Sequence, residues 1–286
     1  MTLPPWHLHA DVLTLTIALE GSYLWALRRL GPRAVAPEES PATRGQIASF
    51  SLGVLSILIA SEWPIHDLAE HYLLFVHMSQ HLLISLVAPP LLLLGTPAWL
   101  LRRLVSPRPV RWIVRNLARP LVAMVLFNTV IVLTHWPPVM DLMLRHHNLH
   151  FVGHFVLFGS ASLMWWPVIS PLPEMPGLSY PVRMLYLFLQ SLVPTVPASF
   201  LTFGSKPLFA FYAEAPRIWG VSALTDQTIA GLVMKLAGGA ILWTAIAIIF
   251  FKWFRQEQTE GWDALAMHRV DREISSGLSG KELAKR

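Results

Sequence analysis

Cysteine is absent from the 286 residues, which excludes disulfides, thiolate metal sites and a cysteine nucleophile. Charge is scarce too: Asp, Glu, Lys and Arg make up only 14% of the chain, where a soluble domain carries about a quarter. Neither HExxH nor GxSxG occurs, so a hydrolase is not expected; the role expected from the residues below is non-enzymatic. There is no internal repeat. The opening residues, "MTLPPWHLHADVL", lack the basic n-region of a cleaved signal, so the first apolar segment is expected to stay in the mature chain.

What is present is apolar bulk. Hydrophobic residues make up 54% of the chain, with 12 Trp and 14 Phe suited to lipid-facing and interfacial positions. Crossing ~30 Å of hydrocarbon takes about twenty apolar residues in a helix. Seven runs qualify, at about 11–28, 46–62, 71–95, 119–136, 149–169, 182–203 and 229–253. The expected fold is therefore all-α, a polytopic bundle of seven transmembrane helices over 1–254 with a polar cytoplasmic tail over 255–286. Bends are expected at Pro89-Pro90 and at Pro194 and Pro197. The net charge of +5 does not point to nucleic acid, because the charges fall in loops and report topology instead. Eighteen of the 22 Lys and Arg lie on one side of this scheme. That asymmetry puts the N-terminus outside and the C-terminus in the cytoplasm.

Against that background the histidines are one-sided. Eleven of the twelve fall in outer loops or outer halves of spans, and only His268 is cytoplasmic. His77 and His81 are an i, i+4 pair, which stacks two imidazoles on one helix face as chelation requires. His147, His150 and His154 repeat the spacing at i, i+3, i+7, and His135 ends the fourth span beside them. Met78 adjoins His77. The candidate metal site is thus His77, Met78, His81, His135, His150 and His154. His66, His71, His147, Asn128, Asp141, Met140 and Met143 are further candidates as ligands or as groups that orient them. Imidazole suits zinc, copper, iron and nickel, and thioether favours Cu(I). Without cysteine a structural zinc site is disfavoured, so copper, as Cu(I), is the expected cofactor. Glu20 and Lys235 are charges within spans and are expected to form one buried ion pair. Asp226-Gln227 reads as the cap of the seventh span.

At "VHMSQHLLISLVAPPLLLLGTP" (76–97), "THWPPVMDLMLRHHNLHFVGH" (134–154), "MWWPVISPLP" (164–173) and "WGVSALTDQTIAGLVMK" (219–235) the chain resembles the polytopic CtaG-type assembly factor of caa3-type cytochrome c oxidase, over about 20–253. The histidines matching that pattern are His77, His81, His135, His150 and His154, with Met78 beside them; no family role falls on Glu20 or Lys235. The resemblance implies a bacterial plasma-membrane protein that helps mature a haem–copper oxidase by handling copper at the outer face. Its partners would be an oxidase subunit in the same bilayer and an extracytoplasmic copper donor; self-association is compatible with the sequence. A bis-His haem protein and a copper transporter are the alternatives.

Overall fold

In hydrocarbon a helix satisfies its own backbone, and long apolar segments fold accordingly. The computed structural model describes residues 4–175 and 177–259, and among these every regular element is helical. The order is α1 (Ala10–Arg29), α2 (Arg44–Ser61), α3 (Ile65–His71), α4 (Leu74–Gly95), α5 (Ala98–Val105), α6 (Arg108–Leu117), α7 (Pro120–Thr134), α8 (Pro137–Arg145), α9 (His147–Ile169), α10 (Tyr180–Phe203), α11 (Ala210–Glu214) and α12 (Ala223–Thr259).

Five of these, α2, α4, α9, α10 and α12, are long and apolar enough to cross a membrane. The pair α6 and α7, bent by 91°, makes a sixth if taken together. Two of the seven expected spans therefore fall short by length or composition. The 15 residues of α7 reach only ~22 Å at 1.5 Å per residue. Helix α1 is long enough but carries Asp11, Glu20, Arg28 and Arg29. The arginine-rich stretch between the third and fourth spans is not a plain loop: α5 and α6 bury Leu101, Val105 and Val114 against Trp166 and Leu172, and their arginines face outward. Helix α12 runs to Thr259, beyond the expected boundary at 254; the tail from 260 lies outside the described residues.

Both proline expectations have a structural outcome. Pro89 has no N–H to offer the Ser85 carbonyl, and α4 passes through a π-helical turn at Leu83–Val87. The freed carbonyl accepts Trp165 Nε1–H at 3.2 Å, so α9 repairs the break in α4. Helix α10 is interrupted between Leu192 and Thr195, where Pro194 and Pro197 remove two donors.

Helix α4 is the hub. Its first half joins the core of Met78, Phe127, Leu157, Met164 and Leu187 from α4, α7, α9 and α10. Its last turn lies on α2 so closely that a Cβ at Gly95 would stand 2.4 Å from Phe50 N. Tyr23 of α1 stacks on Phe50 at 3.8 Å and donates its hydroxyl to the Gly95 carbonyl at 2.8 Å.

The expected pair of Glu20 and Lys235 takes a different form. Glu20 accepts Ser51 Oγ–H at 2.7 Å, and Lys235 donates to Thr195 Oγ1 at 2.7 Å, at the break in α10. Each charge is thus met by a hydroxyl rather than by the other, and Glu20 Oε2 stays buried without a partner.

Candidate metal centre

Helices α4 and α9 each place a histidine pair in their early turns, His77/His81 and His150/His154, and the two pairs face each other. One ring nitrogen from each of the four lies within 4.8 Å of all the others. The i, i+4 spacing sets the within-helix ring separations, 4.3 Å for His77–His81 and 4.4 Å for His150–His154. Across the helices His77 lies 5.2 Å from His150, and His81 lies 5.1 Å from His154.

The position of α4 is set from a distance. Asp226 on α12 is wholly buried, and its two oxygens accept the N–H groups of Leu74 and Phe75 at 2.9 Å each. A carboxylate on the first turn of a helix satisfies orphan donors and complements the helix dipole. The cap expected at the start of α12 itself is made by Ser222, whose hydroxyl accepts Thr225 N–H at 3.1 Å; Asp226 instead caps the helix that carries His77 and His81. Gln227 accepts Leu208 N–H at 2.6 Å and tidies the loop before α11.

Inside the group, polar atoms are left unsatisfied. Both nitrogens of His77, both of His81, and Nε2 of His150 and His154 are buried with no hydrogen-bond partner. Each orphaned buried polar atom costs ~1–3 kcal/mol, and native proteins keep few of them. They fit a cation-binding site, since one nitrogen from each of the four facing rings can offer a lone pair to a common first-row metal ion.

His150 is oriented for that role. Its Nδ1–H donates to Glu70 Oε1 at 2.7 Å, leaving Nε2 toward the group. Carboxylate-to-imidazole support of this kind fixes the tautomer and raises ligand basicity. Burial pushes the Glu70 carboxyl up, but the His150 hydrogen bond and the neighbouring imidazoles outweigh it and bring it down to about 2. Glu70 comes from α3, a seven-residue helix. Tyr212 of α11 holds α3 in place, its hydroxyl donating to the Ala69 carbonyl at 2.6 Å and its ring 6.1 Å from His77.

The remaining sequence candidates separate into near and far. His135 stands one ring away, 5.6 Å from His81, and donates Nδ1–H to the Ile131 carbonyl at 2.8 Å, which leaves Nε2 as a lone pair. Met78 is buried and lines a cavity of about 50 Å³ beneath His81 and His135. His66 sits one shell out, between Gln80 (3.2 Å) and Glu70 (3.5 Å), and burial pushes its pKa down. His71 and His147 are exposed. Asn128 does not reach His135; it donates to Gln190 Oε1 at 2.6 Å. Asp141 accepts the N–H groups of Ala210 and Phe211 and so caps α11. Met140 is core packing, and Met143 lies against Gly153 of α9. Sequence reasoning passed over Glu70, Gln80 and Tyr212. Only Glu70 carried a signal, four residues after His66 within "HDLAEH".

The chain matches the family model described as cytochrome c oxidase caa3 assembly factor over residues 21–256. Among curated proteins it is 27% identical over 229 residues to an uncharacterized protein of Mycobacterium bovis, covering 73% of this chain and 33% of that one. It is 25% identical over 241 residues to an uncharacterized protein of Mycobacterium leprae, covering 74% of this chain and 35% of that one. The chain thus spans about a third of the length of the curated relatives it matches. No solved structure matches it.

Proposed function

The chain belongs to the caa3-type cytochrome c oxidase assembly factor family, and on that premise we propose that it binds copper at His77, His81, His150 and His154 and delivers it to an oxidase subunit in the same membrane. The observation that carries the reading is the set of six buried, unpartnered ring nitrogens on four rings. The donors alone admit zinc, copper, iron or nickel. Copper is selected by the task, because a haem–copper oxidase must acquire that metal during assembly. His135 and Met78 adjoin the group and serve as the next donors along a transfer, His135 by its free Nε2 and Met78 by a thioether suited to Cu(I).

Haem is a poorer fit. The four rings pack directly on one another, and the cavities that touch His81 and His154 hold about 50 and 230 Å³, with no slab between α4 and α9 for a macrocycle.

In cells, His81→Ala or His154→Ala is expected to leave an oxidase of low activity and low copper content, with normal amounts of this protein in the membrane. Full oxidase activity in both variants would refute the delivery role. Lost activity with copper binding intact would mean that these histidines serve oxidase maturation without holding copper.

Glu70→Gln keeps the shape of the side chain and removes its charge. Copper affinity of the purified protein should fall by about 10–100-fold, measured by competition with a chromogenic chelator. An unchanged affinity would mean that His150 needs no help in presenting Nε2.

The proposed topology keeps seven crossings, with α1 and α7 completing the five apolar spans and the histidine end outside. Reporter fusions at Thr43 and Pro107 should both read cytoplasmic. An external signal at Pro107 would invert the scheme and place the imidazoles at the inner face.

A further inference from the structure

Polar side chains continue from the four-imidazole group to the surface in an unbroken series. Glu70 Oε1, which meets His150 Nδ1 at 2.7 Å, lies 3.5 Å from His66 Nε2. The His66 ring packs 4.5 Å from His9, edge to face. His9 Nε2 lies 3.0 Å from Asp67 Oδ2, and exposed His7 stands 5.0 Å beyond the His9 ring. The segment before α1 is tied down at this point: His9 N–H donates to Glu62 Oε1 at 3.0 Å, and Trp63 Nε1–H to the Pro4 carbonyl at 3.3 Å.

Two features exceed what anchoring that segment requires. Three carboxylates, Glu62, Asp67 and Glu70, gather around these imidazoles, and among the described residues no lysine or arginine pairs with any of them. Glu62 Oε2 is also buried without a partner. A half-buried patch of carboxylates without lysine or arginine partners attracts cations and raises their local concentration. The second feature is a cavity of about 230 Å³ with His66, Glu70 and His154 on its wall, among Leu19, Ile57 and Phe155. One space thus borders His66 and Glu70 of the outer group and His154 of the inner one.

We propose that His9, His66, Asp67 and Glu70, with Glu62 beside them, form a loading site that captures a metal cation from solution and passes it, by way of Glu70 and the cavity beside His154, to the group of His77, His81, His150 and His154. The inference rests on the metal-binding reading of those four rings. Glu70 is the shared member, touching His66 on one side and His150 on the other. A cation held by His66 and Glu70 reaches the inner rings by ligand exchange alone, with no change of oxidation state. The carboxylates draw the cation in; the imidazoles hold it at each stage.

The test is the rate of uptake by the purified full chain, with Cu(I) presented anaerobically as its acetonitrile complex. His9→Ala combined with Asp67→Asn should slow uptake by about tenfold, at the lower end of electrostatic focusing effects, and leave the equilibrium affinity unchanged. Uptake by the parent should also slow as ionic strength rises from ~0.01 to ~0.15 M, where screening shortens from ~30 to ~8 Å. That second readout stands even if the double variant misfolds. Equal rates in parent and variant, an affinity that falls in step with the rate, or a salt-independent parent would overturn the loading site and leave the inner site intact. A parent that binds no Cu(I) at all would overturn the inner site and the loading site together.

Discussion

Copper is expected to raise the thermal stability of the parent chain and to leave the His77→Ala, His154→Ala double variant unmoved. Together the two substitutions remove one ring from each helix, so two of the four facing imidazoles remain. The affinity loss should exceed about 100-fold, beyond what loss of a supporting group costs. A ligand that binds only the folded state adds RT ln(1 + [L]/Kd), or ~2.7 kcal/mol at a hundredfold excess over Kd. The parent should gain that and the variant should not. Without metal the two should be similarly stable, because truncation leaves a cavity but also removes three orphaned nitrogens. Proton and metal compete for the same lone pair, so the copper-induced shift should weaken in acid. A shift of equal size in the variant would mean that copper binds elsewhere on the chain.

Asp226→Ala should be the most damaging single substitution outside the imidazoles. It strips the acceptors from two N–H groups in the first turn of α4, one of them buried with its residue in the core. At ~1–3 kcal/mol for each orphaned donor, the loss is about 2–6 kcal/mol. Asp226→Asn keeps one acceptor oxygen and should lose about half as much. Ser222→Ala, which removes only the cap of α12 itself, should cost ~1 kcal/mol. Denaturation of the purified variants gives the order directly. If Ser222→Ala proves the worse, α4 is held by its packing rather than by the cross-chain cap. The Asp226 variants should also bind copper less tightly, since His77 lies one turn beyond the capped residues.

The helical character and the two histidine pairs were legible in the sequence because both are local: apolar length marks a span, and i, i+4 spacing marks a shared face. What joins the pairs was not local. Glu70 lies in a helix too short to show a pattern, and it serves His150, 80 residues on. Asp226 sits where any first-turn carboxylate would cap its own helix, yet it caps one 152 residues away. Glu20 and Lys235 looked like partners because both are charges within apolar runs, but each found a nearer hydroxyl, on Ser51 and Thr195. Charge within a run also blurred the span count, in α1 above all. The histidines around the four-ring group divided by depth, a property the sequence does not carry: His66 turned inward between Gln80 and Glu70, whereas His71 and His147 stayed exposed.

The central claim is that four imidazoles from α4 and α9 hold one copper ion. X-ray absorption of the purified parent loaded with one equivalent of Cu(I) tests it most directly. The expected spectrum has a first shell of imidazole nitrogen from several rings, together with metal analysis giving one tightly held copper per chain. A chain that retains no copper, or a copper whose first shell is dominated by sulfur, would contradict it.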